Sequence, residues 1–171
     1  MRLIRRLLPV LIAVTSLWTG GRLGLCAIPA AEQIRVALPA GWEDGGATSP
    51  PAIQFGKNSK EGAFFQLIVE AKSDFAASID LKAYARKVKA NSAKSSRLLD
   101  RSEMEMAQKR IAARDTMEWE VLGEFKETKL HYRHIVLACG QQSWCQLVCW
   151  AVPSHWEGAQ REFDALVKNL P

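Results

Sequence analysis

Cysteines, histidines and closely spaced glutamates are the side chains of this 171-residue chain whose types and spacing could do chemistry. Of the four cysteines, Cys139, Cys145 and Cys149 cluster near the end. On an extended strand Cys145 and Cys149 stand ~13 Å apart, at ~3.4 Å per residue. A disulfide needs Cα atoms within ~7 Å, and zinc holds each sulfur at ~2.3 Å, so this pair can neither bridge nor share a metal. Cys139 lies across a turn from Cys145 and can share its face, which makes Cys139–Cys145 the expected bridge. The alternative is three small buried thiols. A thiol oxidoreductase would want Cys-x-x-Cys, which is absent.

The histidines give no chelating pair. His131 and His134 are three apart on an expected strand and point to opposite faces. His155 falls at the start of a helix. A site joining His134, His155 and Cys149 would have to be built by tertiary contacts alone. Glu103 with Glu105, and Glu118 with Glu120, share strand faces ~7 Å apart. That separation occurs in glycosidases, but the alternation is foremost that of a solvated face. No Gly-x-Ser-x-Gly turn, Gly-Lys phosphate loop or His-Glu-x-x-His motif is present, and Gly45-Gly46 lacks the remainder of any phosphate loop. No catalytic residue, cofactor site or metal site is therefore assigned. Trp42, at the head of a Gly/Pro-rich loop, and Trp144, near a hairpin tip, are the candidate partner contacts, because exposed aromatic area concentrates binding energy.

The elements that must position these residues are legible. Ile34–Leu38 alternates and meets the turn Pro39-Ala40-Gly41-Trp42, so it reads as a strand. Residues 43–51 read as a loop, and 52–56 as a short strand before a turn at 56–62. Residues 63–69 are apolar on both faces, as in a central strand. Leu81, Tyr84, Ala85 and Val88 set a helix capped by Ser78 or Asp80, with Arg86, Lys87 and Lys89 on a solvated face. Strands follow at 103–106 and 117–121. Then 130–139 and 143–152 form a hairpin around Gly140. Ser154 to Glu157 spells a capping box ahead of the stripe Trp156, Ala159, Phe163, Leu166, Val167 and Leu170, so Ser154→Ala should cost ~1 kcal/mol. Strands apolar on both faces need cover on both sides. The expected fold is α+β: an antiparallel sheet of six to seven strands with helices packed on its faces, an α/β/α sandwich.

Residues 1–27 are read separately, as a secretory signal. Met1-Arg2-Leu3-Ile4-Arg5-Arg6 is basic, and the apolar run to Trp18 is short for a spanning helix of ~20 residues. Cleavage is expected after Ala27, or after Ala30 or Ala31, leaving a single domain over 28–171. Arg5-Arg6 resembles a twin-arginine signal without its flanking residues. Leu23-Gly24-Leu25-Cys26 resembles a lipobox with a bulky Leu25. The signal holds Arg2, Arg5, Arg6 and Arg22 and no acid, so residues 28–171 keep 19 of the 23 basic residues against 18 acids. The net charge falls from +5 to +1. The basic character belongs to the export segment and gives no case for nucleic-acid binding.

The Pro-x-Gly-Trp turn at 39–42, the Ala112 region leading into 117–121, the hairpin around Gly140 and the closing stripe 163–170 resemble the PsbP-like family of small exported proteins, over residues 32–170. That resemblance implies an α/β/α sandwich and a role in binding or assisting other proteins, as the photosynthetic members assist the oxygen-evolving photosystem. It carries no site residue onto this chain. The expected function is a non-catalytic binding or assembly module, periplasmic or secreted, with another envelope protein as partner, no cofactor, no nucleic acid and no membrane span after cleavage. The alternatives are an envelope enzyme using residues such as Glu118, Glu120 and His134, and a surface protein lipid-anchored through Cys26. Oligomeric state is not legible.

Overall fold

The computed structural model describes residues 34–46, 48, 51–76 and 79–171; the expected signal segment, Cys26 and Ser78 lie outside the described residues. In chain order the elements are β1 (Glu43–Asp44), β2 (Ala52–Asn58), β3 (Ala63–Ala71), α1 (Leu81–Ser95), β4 (Leu99–Glu103), β5 (Ala107–Ile111), β6 (Arg114–Phe125), β7 (Thr128–Cys139), β8 (Ser143–Ala151) and α2 (Trp156–Lys168). The eight strands form one antiparallel sheet in the order β1-β2-β3-β8-β7-β6-β4, and β5 also pairs with β6. β4 pairs with residues 121–124 of β6 and β5 with residues 114–118, so the two share one edge in succession.

Strand alternation divides the core in two. On β3 and β8, Phe65, Leu67, Cys145, Leu147 and Cys149 face α2, which presents Trp156, Ala159, Phe163, Leu166 and Val167. From the other face Trp119, Val121, Tyr132, Val136, Trp144 and Trp150 meet α1 through Tyr84, Ala85 and Val88. This is the expected α+β sandwich, because strands apolar on both faces must be covered on both. Asp80 caps α1, its Oδ1 accepting from the Ala83 N–H at 2.6 Å.

Four local expectations are corrected. Residues 34–38 alternate in burial but join no ladder. The Gln54 side chain satisfies Val36 instead, accepting from its N–H at 2.8 Å and donating to its carbonyl at 3.1 Å. Asn169 serves Ala37: its backbone carbonyl accepts from the Ala37 N–H at 3.3 Å and its side-chain amide donates to the Ala37 carbonyl at 2.7 Å. Inside the loop expected at 43–51, Glu43 and Asp44 pair with Lys57 and Gly56 as β1. The strand expected at 103–106 ends at Glu103, and the polar stretch 107–111 forms the edge strand β5. Lastly, Ser154 lies in a 3-10 turn, Pro153–His155, and caps nothing. Pro153 presets φ and begins the turn early, so a cap-sized cost for Ser154→Ala does not follow.

Candidate functional site

The α2 face of β6 and β7 carries a run of polar side chains in an otherwise apolar layer. Alternation puts Thr116, Glu118 and Glu120 of β6 on that face with His131 and Arg133 of β7. Arg133 stands opposite Glu120, and His131 opposite Leu122. Each bonds to the acid one step along the diagonal, a reach open to long side chains across a sheet. Arg133 donates to Glu118 Oε2 through Nε at 3.1 Å and Nη2 at 2.9 Å. His131 Nε2 lies 2.7 Å from Glu120 Oε2.

Neighbouring elements complete the cluster. Thr116 donates to Glu118 Oε1 at 2.9 Å, and Lys109 of β5 pairs with Oε2 at 3.2 Å. Asp164 of α2 pairs with Arg133 Nη1 at 2.8 Å. The Trp156 ring of α2 stacks on His131 with centroids 3.5 Å apart. Glu118 is only 3% exposed, so the expectation of a solvated glutamate face is corrected. It is a buried carboxylate with a donor on each oxygen.

The electrostatics match that saturation. Burial would lower the Arg133 guanidinium pKa, but the Glu118 and Asp164 charges outweigh it and hold the group firmly charged. Burial lowers the His131 pKa, opposed by its bond to Glu120. Cys149 sits opposite Arg133 in the ladder, and burial pushes its thiol well up, out of the thiolate range. The arrangement binds an arginine, an aromatic ring and a helix to the sheet, and both Glu118 oxygens are occupied within it.

The pieces expected for an enzyme do not meet. His134 lies on the α1 face, its ring 4.6 Å from that of Trp119, while Glu118 and Glu120 lie on the α2 face. The sheet also separates it from Cys149. Glu103 pairs with Lys89 and Arg101, whereas Glu105 is exposed. Among the described residues no group of three or more His, Cys, Asp or Glu is placed to hold a metal.

Cys139 and Cys145 are joined by a disulfide, with Cα atoms 5.7 Å apart. In the register Cys139 pairs with Ser143 and Cys145 with Leu137, so the bridge is a diagonal across the hairpin end. Trp42 and Trp144 are corrected as exposed contacts, being 7% and 5% exposed. The Pro39–Trp42 turn, with Gly41 at φ +86°, swings the Trp42 indole under α2. There it meets Phe65 at 5.3 Å, and Nε1 donates to Glu162 at 2.9 Å. Trp144 stacks on Tyr84 at 5.0 Å, with the Lys72 ammonium 4.4 Å from its ring. Sequence reading passed over Arg133, although a charged residue inside a strand apolar on both faces implies a buried partner.

No family model and no curated protein sequence matches the chain. Among solved structures, the cyanobacterial PsbP protein CyanoP of Synechocystis sp. PCC 6803 superposes with a TM-score of 0.55 at 14% identity, over 88% of this chain and 99% of its own. The fold is PsbP-like. LpqN of Mycobacterium tuberculosis, described as involved in cell envelope biogenesis, shares it with a TM-score of 0.53 at 10% identity, over 78% of this chain and 79% of its own. A Bacteroides thetaiotaomicron protein reaches 0.56 at 12% identity over 80% of this chain, which matches 43% of that longer molecule. The PsbP-like likeness concerns the sandwich itself: identity this low places no side chain of the polar cluster in any of these proteins.

Proposed function

We propose that this chain is a non-catalytic binding or assembly module that works outside the cytoplasm, periplasmic or secreted after removal of residues 1–27. The carrying observation is that the buried Glu118 carboxylate is saturated by its own neighbours. A general acid or base must reach a substrate proton, and a nucleophile must be activated by a neighbouring base. Here Glu118 is spent on Arg133, Thr116 and Lys109. The Cys149 thiol is buried, and that burial outweighs the neighbouring Arg133 charge and keeps it protonated. The Cys139–Cys145 bridge is compatible with an oxidising compartment. The envelope role of LpqN supports the same setting by analogy of fold alone. Among the described residues no helix is long and apolar enough to cross a membrane.

The test is photo-crosslinking in the cell envelope from exposed positions, repeated with the doubly substituted Glu120→Gln, His131→Asn chain. The expected result is one reproducible partner, captured equally by both chains. If no partner is captured from any exposed position, or if the substituted chain stays folded and accumulates a modified small molecule that the parent turns over, the binding-module reading falls.

A further inference from the structure

Charge is unevenly distributed over this domain. Residues 28–171 hold 19 cations and 18 acids, yet six of those cations lie between Lys82 and Arg97, where there is no acid at all. The stretch carries +6, which leaves a net −5 for everything else in those residues. Most of the stretch is α1, whose inner side is set by Tyr84, Ala85 and Val88.

The six cations have different surroundings. Lys89 turns toward the sheet edge, donating to the Met104 carbonyl at 2.7 Å and pairing with Glu103 at 3.6 Å. Lys87 lies 4.6 Å from the centre of the Phe75 ring. Lys82, Arg86, Lys94 and Arg97 are exposed, and among the described residues no carboxylate pairs with them. Of the nearby acids, Asp80 caps the helix, Glu70 bonds to Tyr84 and Gln146, Glu103 pairs with Lys89 and Arg101, and exposed Glu105 acts on Lys89. At about 3.6 residues per turn, Lys82 and Arg86 fall on one side of the outer helix face and Lys87 and Lys94 on the other. Exposed Ala83 and Ala90 lie between them.

We propose that the outer face of α1 docks on an anionic phospholipid surface, with Lys82, Arg86, Lys94 and Arg97 meeting the headgroup phosphates. The inference rests on the binding-module reading and names one of its partners. An acid-free row of flexible cations suits a dense, unpatterned array of negative charge. Alanines between the cations allow close approach but supply too little apolar area to insert, so the attachment is peripheral and salt-sensitive. An acidic protein is the weaker fit, because protein interfaces draw much of their energy from aromatic anchors seated in pockets, and this face offers arginines without one. No aromatic side chain points outward from α1, where Tyr84 is buried.

The experiment uses the processed chain with vesicles of phosphatidylcholine alone and of phosphatidylcholine with about one-third phosphatidylglycerol, read by co-sedimentation. Partition to the anionic vesicles should exceed that to neutral ones by at least about tenfold and vanish near ~0.5 M salt, where screening is short-ranged. Neutralising Lys82→Gln, Arg86→Gln and Lys94→Gln together should reduce it about tenfold or more. Neutralising Lys57, Lys60 and Lys168 should leave it largely intact. Equal binding to both vesicle types, or an unaffected triple variant of native circular dichroism, overturns the proposal. Binding to polyglutamate without binding to vesicles also overturns it and assigns the face to an acidic protein. A protein partner still captured by crosslinking when vesicles fail leaves the binding-module reading standing, so the two failures are distinguishable.

Discussion

His134 is the residue whose environment has the clearest thermodynamic consequence. Burial, together with the Arg101 and Lys89 charges, lowers its pKa to about 3. An unfolded histidine titrates near ~6.5, so between that pH and ~3 the unfolded chain binds a proton that the native chain refuses. The folded pKa is depressed, so this stability is fully present above ~6.5 and is lost as pH falls. The linkage relation gives a loss of about 2 kcal/mol between pH ~6.5 and ~4.5 from this residue alone. His131, lowered in the same direction, adds to the slope. His134→Phe keeps a flat ring on Trp119 and removes the titration. The unfolding free energy of that variant from urea melts should fall over this pH range by about 2 kcal/mol less than that of the parent; identical pH slopes would refute the assignment. The opposite-face placement of His131 and His134 was legible from their spacing. Their surroundings were not, because Trp156 and the pair Lys89 and Arg101 arrive from other elements.

At the scale of elements, the two tight hairpins carry strain that can be relieved. Ala112 and Ala113 have φ of 51° and 64°, and Lys126 and Glu127 have 47° and 65°. These turns join β5 to β6 and β6 to β7 through two residues each. Positive φ at both positions belongs to type I′ turns, which favour Asn-Gly, because a side chain there crowds its own backbone. Replacing Lys126-Glu127 with Asn-Gly should raise unfolding stability by about 1 kcal/mol in urea melts, at two solvent-exposed sites. An unchanged or lower midpoint would mean that the backbone is not held in this conformation. Alanine and charged residues in the turns hid both hairpins from sequence reading, which looks for glycine and asparagine. The hairpin at Gly140 announced itself because glycine stands there with φ of +71°. Residues 34–38 show the converse: their alternation reports which side chains are buried, but the Gln54 side chain and both the backbone and side chain of Asn169 replace a neighbouring strand. Polar contacts between distant positions leave no periodic trace.

At the scale of the whole molecule, the two outer layers are held unequally. α2 buries Trp156, Ala159, Phe163, Leu166 and Val167, followed by Leu170, and is tied to β7 through Asp164 and Arg133. α1 buries Tyr84, Ala85 and Val88 and leaves a cationic outer surface. Apolar burial contributes about 25 cal/mol per Å², so the layer with several large inward side chains should open last. Amides that exchange only on global unfolding belong to the best-packed cooperative unit. This ranking was already visible in the sequence, where the terminal stripe ran longer than that of the first helix. Native-state hydrogen exchange in increasing denaturant should therefore separate two units. Amides of β3, β7, β8 and α2 should exchange with the global free energy, whereas those of α1 should exchange through an earlier, smaller opening. Anionic vesicles bound to the outer face of α1 would raise its protection and leave that of α2 unchanged, since a ligand stabilises the unit it contacts. If α1 and α2 exchange together at all denaturant concentrations, the sandwich is a single cooperative unit and the unequal hold of its two outer layers has no energetic meaning.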